Sequence, residues 1–596
     1  MTDHWVARLL APLALWVLVN AVDELFIDVA ALCAWFSRKF SRNPRYRHPT
    51  EEELAAAPPR LMAVFVPLWK EHKVIHQMID SNVTRLNYCR VQFFVGVYPN
   101  DTLTMDAVRE AMKRHQNVDL CVTPHSGPTS KADNLNWIYQ RMLAFEQEYR
   151  VRFDMVLTHD AEDLMDPDAL RWINYYAQDH DMIQIPVLAL RKPSHFLSHG
   201  VYCDEFAEFQ FKDMPARQLL GGFIPSNGVG TGFSRRVLEM IAARHENRIF
   251  EPACITEDYE NGFRVRRLGL PQKFIPIAFR HRRPIATREY FPETFGKAVA
   301  QRTRWVMGIT LQSWQFHSPG ETLGQLYWFW RDRKALVGNL ISPLMNLLFI
   351  LGFSTWSWAR ATHHAWQLAS EASRFYPIYA AGLAGQALQT SIRIVCCARI
   401  YGWRFACGVP VRVVVANVIN CTATLRAIRI FTHARLRGQP LPWVKTEHAY
   451  PNGDALMRDR KRLRDVLADL QWIAPDRMES ALASRPGGQR LGEHLVALGL
   501  LTEPQLYKAL SLQNGVPFEK PAPEAVSIPV TRSLPVRLAR AMRAMPFRIA
   551  GGELYVAGSE LPGEPMQRDI RKFSSLAIRF QLVTPAQFEE LAAAYL

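Results

Sequence analysis

The 596-residue chain is predicted to fold as an α/β domain embedded among transmembrane α-helices, followed by a mainly helical C-terminal domain. Three observations predict this. Residues 59–285 alternate short apolar runs with polar, helix-period stretches, as strands and their covering helices do. Ala335 to Trp358 is 24 residues without a charge, about 36 Å of helix and enough to cross a bilayer. Beyond residue 460, leucines recur at helical spacing around glycine turns.

Taken in order, the apolar stretch Trp5 to Phe36 lacks a small-residue cleavage signature and reads as a retained anchor. Asp23, Glu24 and Asp28 interrupt it. Either the span ends near Val22 with these acids at the interface, or they face a bundle interior, because exposing them to lipid is costly. Strands are expected at Leu61–Val66, Val91–Val97, Asp119–Thr123, Phe153–Thr158 and Met182–Val187. Phe375 to Cys397 is a second span with only Arg393 inside; residues 408–427 are apolar but carry Arg412 and Arg426.

The net charge of +15 gathers beside the apolar segments, at Arg38, Lys39, Arg42, Arg45 and Arg47 and again at Arg331, Arg333 and Lys334. That points to membrane lipids and phosphorylated ligands rather than a nucleic acid polymer. It also places residues 37–334 in the cytoplasm and the 359–374 loop outside. The basic stretch Arg399, Arg404, Arg429, Arg435, Arg437 then returns inside, which makes 408–427 interfacial and the C-terminal domain cytoplasmic. Nine cysteines without C-x-x-C or regular spacing indicate neither a disulfide framework nor a zinc site. The boundaries are 1–36 (anchor), 37–334 (α/β domain, with interface helices near 288–318), 335–430 (spans 335–358 and 375–397, interfacial segment 408–427), 431–460 (linker) and 461–596.

In such sheets ligands collect at the carboxyl ends of the strands. Glu71 follows the first strand, Asn100-Asp101 the second and His159-Asp160-Ala161-Glu162-Asp163 the fourth, so these acids should converge. Asp160 and Glu162, two apart on a turn, can point to one divalent cation, although most acid-rich turns are merely solvated. Thr256-Glu257-Asp258 opens a helical pattern where a carboxylate is often only a cap; Asp258 is also the best-placed general base. Gly230-Thr231-Gly232 reads as a preceding loop open to close backbone approach. Gln301, Arg304 and Trp305 share a helix face and offer an amide, a guanidinium for phosphate and an indole for stacking. An interface helix anchored by Trp and a snorkelling Arg would show the same pattern.

These motifs resemble the D, D-x-D, T-E-D and Q-x-x-R-W series of inverting, processive family-2 glycosyltransferases of the Rossmann-like GT-A fold. More narrowly, Tyr98-Pro99-Asn100-Asp101, Gly127 to Asn136, His159 to Asp163, Thr256 to Tyr259 and Arg288-Glu289-Tyr290-Phe291-Pro292 resemble the NfrB, or bacteriophage adsorption protein B, branch. By that likeness the donor is a UDP-sugar, an N-acetylated hexosamine such as N-acetylmannosamine. Glu71, Asp101, Lys131 and Asp133 would serve the donor, with Asp101 at the nucleoside and Lys131 at the diphosphate. Asp160 and Glu162 would hold Mg2+ or Mn2+, Asp258 with Glu257 would meet the acceptor, and Gln301, Arg304 and Trp305 the acceptor–diphosphate region. Glu162 stands where the series has its second Asp, with Asp163 adjacent, so either could complete the metal site.

Arg490, Leu491, Gly492, Leu495, Gly499, Leu506, Leu510 and Gln513 form a helix–turn–helix pattern with an imperfect copy 28 residues upstream. The pattern resembles the signature of MshEN domains, which bind cyclic di-GMP; a weaker half follows at Arg537-Leu538. Amides at the Arg-Leu-Gly turn would approach phosphate and leucines would cover the bases. The whole implies a bacterial inner-membrane glycosyltransferase that cyclic di-GMP activates and that extrudes its growing polysaccharide, with an NfrA-like outer-membrane or periplasmic export partner. The competing readings are a non-catalytic membrane receptor or scaffold sensing the dinucleotide, and a transferase adding one sugar to a lipid.

Overall fold

The computed structural model describes all residues except 1, 42, 44–46, 281–282, 317–321, 367–375, 440, 442–462, 471, 487, 515 and 551–552. Most of the expected linker 431–460 and part of the 359–374 loop therefore lie outside the described residues. Two units separate, Met1–Met78 with Leu86–Tyr450, and Pro451–Leu596 with Ile79–Arg85.

The first unit is built on β1 (Met62–Pro67), β2 (Val91–Val97), β3 (Val118–Val122), β4 (Met155–Thr158), β5 (Met182–Gln184), β6 (Val187–Ala189), β7 (Thr231–Ser234) and β8 (Gln272–Phe274). Seven of them form one sheet in the order β3-β2-β1-β4-β7-β5-β8. β1 runs parallel to β2 and β4, and β7 runs antiparallel between β4 and β5. Strands covered on both faces need apolar residues without alternation, which is why Met-Ala-Val-Phe-Val reads as a continuous run and is fully buried. Helix Lys131–Tyr149 packs Ala132, Leu135, Ile138, Tyr139 and Met142 onto this sheet.

Two differences from the sequence reading concern backbone breaks. The strand expected over Met182–Val187 divides, and β6 leaves the main sheet to pair in parallel with Thr287–Glu289; Pro186, which has no amide to donate, stands at the break. Thr231 and Gly232, expected in a loop, lie in β7. A Cβ on Gly230 would meet Thr287 Oγ1 at 2.6 Å, so this glycine admits protein rather than ligand.

Two described helices, Leu323–Ala361 and Val409–Leu436, are long and apolar enough to cross a membrane. The second covers the segment read as interfacial. Arg412, one of the two charges inside that segment, is fully buried and bridges Asp204 on helix Leu197–Glu208 at 2.7 Å, so its charge is matched inside the protein. The two helices join through Asn339 to Thr424 (3.0 Å) and Asn417 to Asn346 (3.3 Å). Residues 376–397 of the expected span 375–397 are helical, within Tyr376–Tyr401, although that helix is not one of these two; residue 375 lies outside the described residues.

The acids of the first helix, Thr2–Phe40, face a bundle interior rather than lipid. Glu24 and Asp28 meet Lys212 at 2.9 and 3.3 Å, and Asp23 pairs with Arg331 and Lys334. Gln389 donates to Asp28 at 2.6 Å. Buried charges persist when they are paired and hydrogen-bonded, and here each acid has such a partner.

In the second unit, helices Leu463–Asp469, Pro475–Ser484, Leu491–Ala497 and Glu503–Asn514 enclose Leu467, Ile473, Ala481, Leu495, Leu501 and Ala509. A three-stranded sheet follows, Ala544–Ala550 antiparallel to Glu553–Gly558, which is parallel to Ala577–Leu582. The helical pattern thus holds for the first half, and strands that its leucine spacing did not reveal make the second.

Candidate active site

The ends of β1 and β4, neighbours in the sheet, deliver Glu71 and the His159–Asp163 turn to one edge. A cavity of about 650 Å3 opens there. Glu71, Lys131, Asp160, Glu162, Glu257 and Asp258 line it, as do Gln301, Arg304 and Trp305.

Ser130 caps the helix that starts at Lys131, and the Lys131 ammonium reaches Asp160 at 2.6 Å. Burial works against that charge, but Asp160, Glu257 and Asp258 outweigh it and hold the ammonium above the usual lysine range. Asp163 does not line the cavity. Its carboxylate accepts from the Asp160 amide at 2.9 Å and meets His159 Nδ1 at 2.8 Å, so it shapes the turn that presents Asp160 and Glu162. Burial pushes the His159 imidazole down to about 3.

Asp101 and Asp133 also stay out of the lining. Asp101 accepts from the Lys70 amide at 2.5 Å, fixing the loop after β1. Asp133 accepts from the Thr129 hydroxyl at 2.6 Å and holds His125 at 3.3 Å. Tyr98, whose hydroxyl meets Thr129 at 2.8 Å, and Trp69 are the aromatic groups here; their rings stand edge to face at 5.4 Å.

Among the described residues no three His, Cys, Asp or Glu side chains form a metal-binding group. Asp160 and Glu162 nevertheless fit a hard divalent cation that takes its remaining oxygens from a phosphorylated ligand, because both carboxylates face the same cavity and Mg2+ typically takes one or two from protein.

Glu257 and Asp258 open helix Glu257–Arg267. Burial, then the neighbouring Asp258, lifts the Glu257 carboxyl to about 7. Burial also raises Asp258, while Lys131, the Tyr259 amide and Arg304 pull it back. Gly228 makes room for this carboxylate: its φ is 79°, and a Cβ would meet Asp258 Oδ2 at 2.7 Å. Sequence reasoning passed over Gly228, although Ser226-Asn227-Gly228 is a turn signal.

Gln301, Arg304 and Trp305 lie on helix Phe295–Trp305, and the chain widens directly after Trp305 into a π-helical stretch, Val306–Gln312. Gln312 then holds the loop leading to Glu257, accepting from the Ile255 amide at 2.9 Å and donating to the Ala253 carbonyl at 2.7 Å. Trp305 leans on Tyr202 and Phe206. Beyond it the cavity is lined by residues no local motif marks, among them Glu205, Asp332, Ala335, Asn339, Arg393 and Asn420. Several are neutralised in pairs, Arg302 with Glu205 at 2.6 Å and Arg393 with Glu208 at 2.6 Å.

In the second unit Arg490 and Arg537 are exposed, while Gly492 is buried. A Cβ on Gly492 would meet Leu506 Cδ1 at 2.5 Å, so its smallness serves helix packing. Leu495 is buried in the same core, Leu491 packs against it, and Leu510 and Gln513 lie on the following helix, Glu503–Asn514. Leu538 lies in the first turn of helix Val536–Ala541.

Residues 58–308 match the glycosyltransferase-like family 2 model, and residues 514–596, beginning just after Gln513, match the MshEN domain. The sheet is thus a GT-A-like Rossmann glycosyltransferase fold, joined to an MshEN domain. Bacteriophage adsorption protein B of Escherichia coli (strain K12) is 33% identical over 571 residues, covering 92% of this chain and 76% of that one; bacteriophage N4 adsorption protein B of Escherichia coli O157:H7 matches to the same extent. Among solved structures, a mannosyltransferase from Pyrobaculum calidifontis in complex with GDP-Man and Mn2+ is 15% identical, covering 72% of this chain and 99% of its own, with a TM-score of 0.40. MshE with cdg is 29% identical over 23% of this chain and 100% of its own, with a TM-score of 0.22.

Proposed function

Because the chain belongs to the bacteriophage adsorption protein B family, we propose that this glycosyltransferase polymerises a UDP-activated, N-acetylated hexosamine with inversion and passes the product through its own helices. The observation that carries the reading is the extent of the cavity. It runs from Lys131 and Asp160, past Asp258 and Trp305, to Asp332, Ala335 and Asn339 on helix Leu323–Ala361 and to Asn420 on Val409–Leu436, the two helices apolar enough for a membrane.

In this reading Lys131 steadies the diphosphate, and Asp160 and Glu162 hold Mg2+ or Mn2+, which when bound offsets the charge that grows on the departing phosphate. The acceptor hydroxyl attacks the anomeric carbon from the face opposite UDP. Its proton passes to Asp258 as the new C–O bond forms and the bond to phosphate breaks. Trp305 offers a ring to the penultimate sugar, and Gln301 and Arg304 hold the acceptor beside the diphosphate. The catalytic domain faces the cytoplasm of a bacterial inner membrane, and cyclic di-GMP bound by the C-terminal domain through Arg490 and Arg537 raises activity. An export partner receives the polymer.

Vesicles carrying the full chain, given a panel of UDP-sugars with Mg2+ or Mn2+ and with or without cyclic di-GMP, test this. A UDP-hexosamine should yield free UDP and polymer, more so with the dinucleotide. A single sugar added to lipid would support the one-step transferase instead, and no UDP release would favour the receptor reading.

A further inference from the structure

Helix Glu257–Arg267 is tied to the start of a membrane-type helix at the residue next to its base. The Tyr259 amide donates to Asp258 Oδ1 at 2.8 Å, and the Tyr259 hydroxyl donates to Asp332 Oδ2 at 2.7 Å. Arg217 donates to the same Asp332 oxygen at 2.6 Å. Its guanidinium lies between the Phe223 and Trp328 rings, 4.5 and 4.6 Å from their centroids. Phe223 in turn stands edge-on to Tyr259 at 5.4 Å. Gly222 closes the arrangement, since a Cβ there would meet Trp328 Nε1 at 2.6 Å and Arg217 Cγ at 2.7 Å. Tyr259 and Arg217 are buried.

Asp332 begins the face of helix Leu323–Ala361 that continues through Ala335 and Asn339, and all three line the acceptor end of the cavity. One carboxylate therefore borders the path of the acceptor and also holds the residue after the base. Two charge-assisted bonds to a single oxygen, from side chains that are themselves buried, form a stiff and directional joint.

We propose that Asp332 is a positioning residue for transfer: through Tyr259 it fixes Asp258 relative to the helix along which the acceptor lies. The role rests on the glycosyltransferase reading above. It accounts for a tyrosine hydroxyl buried against a carboxylate at a point where packing alone would be met by phenylalanine.

The test uses the full chain in vesicles or nanodiscs with Tyr259→Phe, Asp332→Asn and Asp332→Ala. Tyr259→Phe keeps the ring and removes only the tether. It should lower kcat per inserted molecule about tenfold or more, because small misplacement of a reacting group is costly, with donor KM little changed. Asp332→Asn retains an oxygen for the tyrosine and should lose less than Asp332→Ala. Hydrogen exchange at the amides of residues 257–260 should quicken in Tyr259→Phe and Asp332→Ala. Unchanged kcat and unchanged exchange in Tyr259→Phe would overturn the proposal, as would equal losses for Asn and Ala that follow protein abundance alone. A wild type that transfers no sugar would instead refute the glycosyltransferase reading, and the exchange measurement would still decide whether the tether exists.

Discussion

Asp258 is held by opposing influences, burial raising its carboxyl and Lys131, the Tyr259 amide and Arg304 lowering it, while its neighbour Glu257 is lifted to about 7. Asp258→Asn should cut transfer at least about 100-fold, since an amide takes no proton, yet leave donor binding in place, as measured by UDP-sugar affinity. A base works only when ionised, and burial raises the Asp258 carboxyl, so transfer should fall as the solution is made acidic and rise again with pH as Asp258 loses its proton. Glu257→Gln removes a negative neighbour, makes Asp258 easier to ionise and should move this rise to lower pH in a pH–rate profile. Gly228→Ala places a Cβ 2.7 Å from Asp258 Oδ2 at a φ of 79°. It should cost about 1–2 kcal/mol in backbone strain and slow transfer, read as kcat per folded molecule. Asp160→Ala should abolish the dependence of donor affinity on Mg2+ or Mn2+, and identical titrations for variant and wild type would remove Asp160 from the metal role. These carboxylates were legible in the sequence because each follows a strand or opens a helix. Gly228, Tyr259 as a tether and Asp332 were not, because their meaning lies in contacts between segments far apart in the chain.

At the level of elements, the strands of the central sheet could be read because burial on both faces demands unbroken apolar runs, as in Val-Gln-Phe-Phe-Val. β7 and β8 escaped notice: they are short, and the glycine in Thr-Gly-Phe-Ser imitates a turn. Segment 408–427 was read as interfacial from the basic stretch Arg399 to Arg437 around it, and Arg412 inside it has a partner, Asp204, that lies more than 200 residues earlier and could not be paired by local reasoning. Gly492 gives the matching lesson in the second unit. Beside the phosphate approach expected of its backbone, it lets helix Leu491–Ala497 sit on Leu506. Gly492→Leu should therefore destabilise that unit by about 1–3 kcal/mol through overpacking, seen as a lowered Tm even without cyclic di-GMP. An unchanged Tm with lost dinucleotide binding would assign Gly492 to backbone approach alone.

At the scale of the whole molecule, activation by cyclic di-GMP requires that the dinucleotide favour the active arrangement, and a tenfold rise corresponds to about 1.4 kcal/mol of coupling. Binding linkage is reciprocal, so saturating UDP-sugar should tighten dinucleotide binding by the factor through which the dinucleotide tightens UDP-sugar; calorimetry on the full chain would show it. All of this depends on transfer taking place in the cavity that joins Lys131 and Asp160 to Asp258. The most direct measurement compares UDP release and polymer yield in vesicles of wild type and Asp258→Asn, matched for inserted protein and supplied with UDP-hexosamines and Mg2+ or Mn2+. Wild type should release UDP and build polymer, and Asp258→Asn should do neither at more than about one-hundredth of that rate. Equal polymer from both would contradict the account.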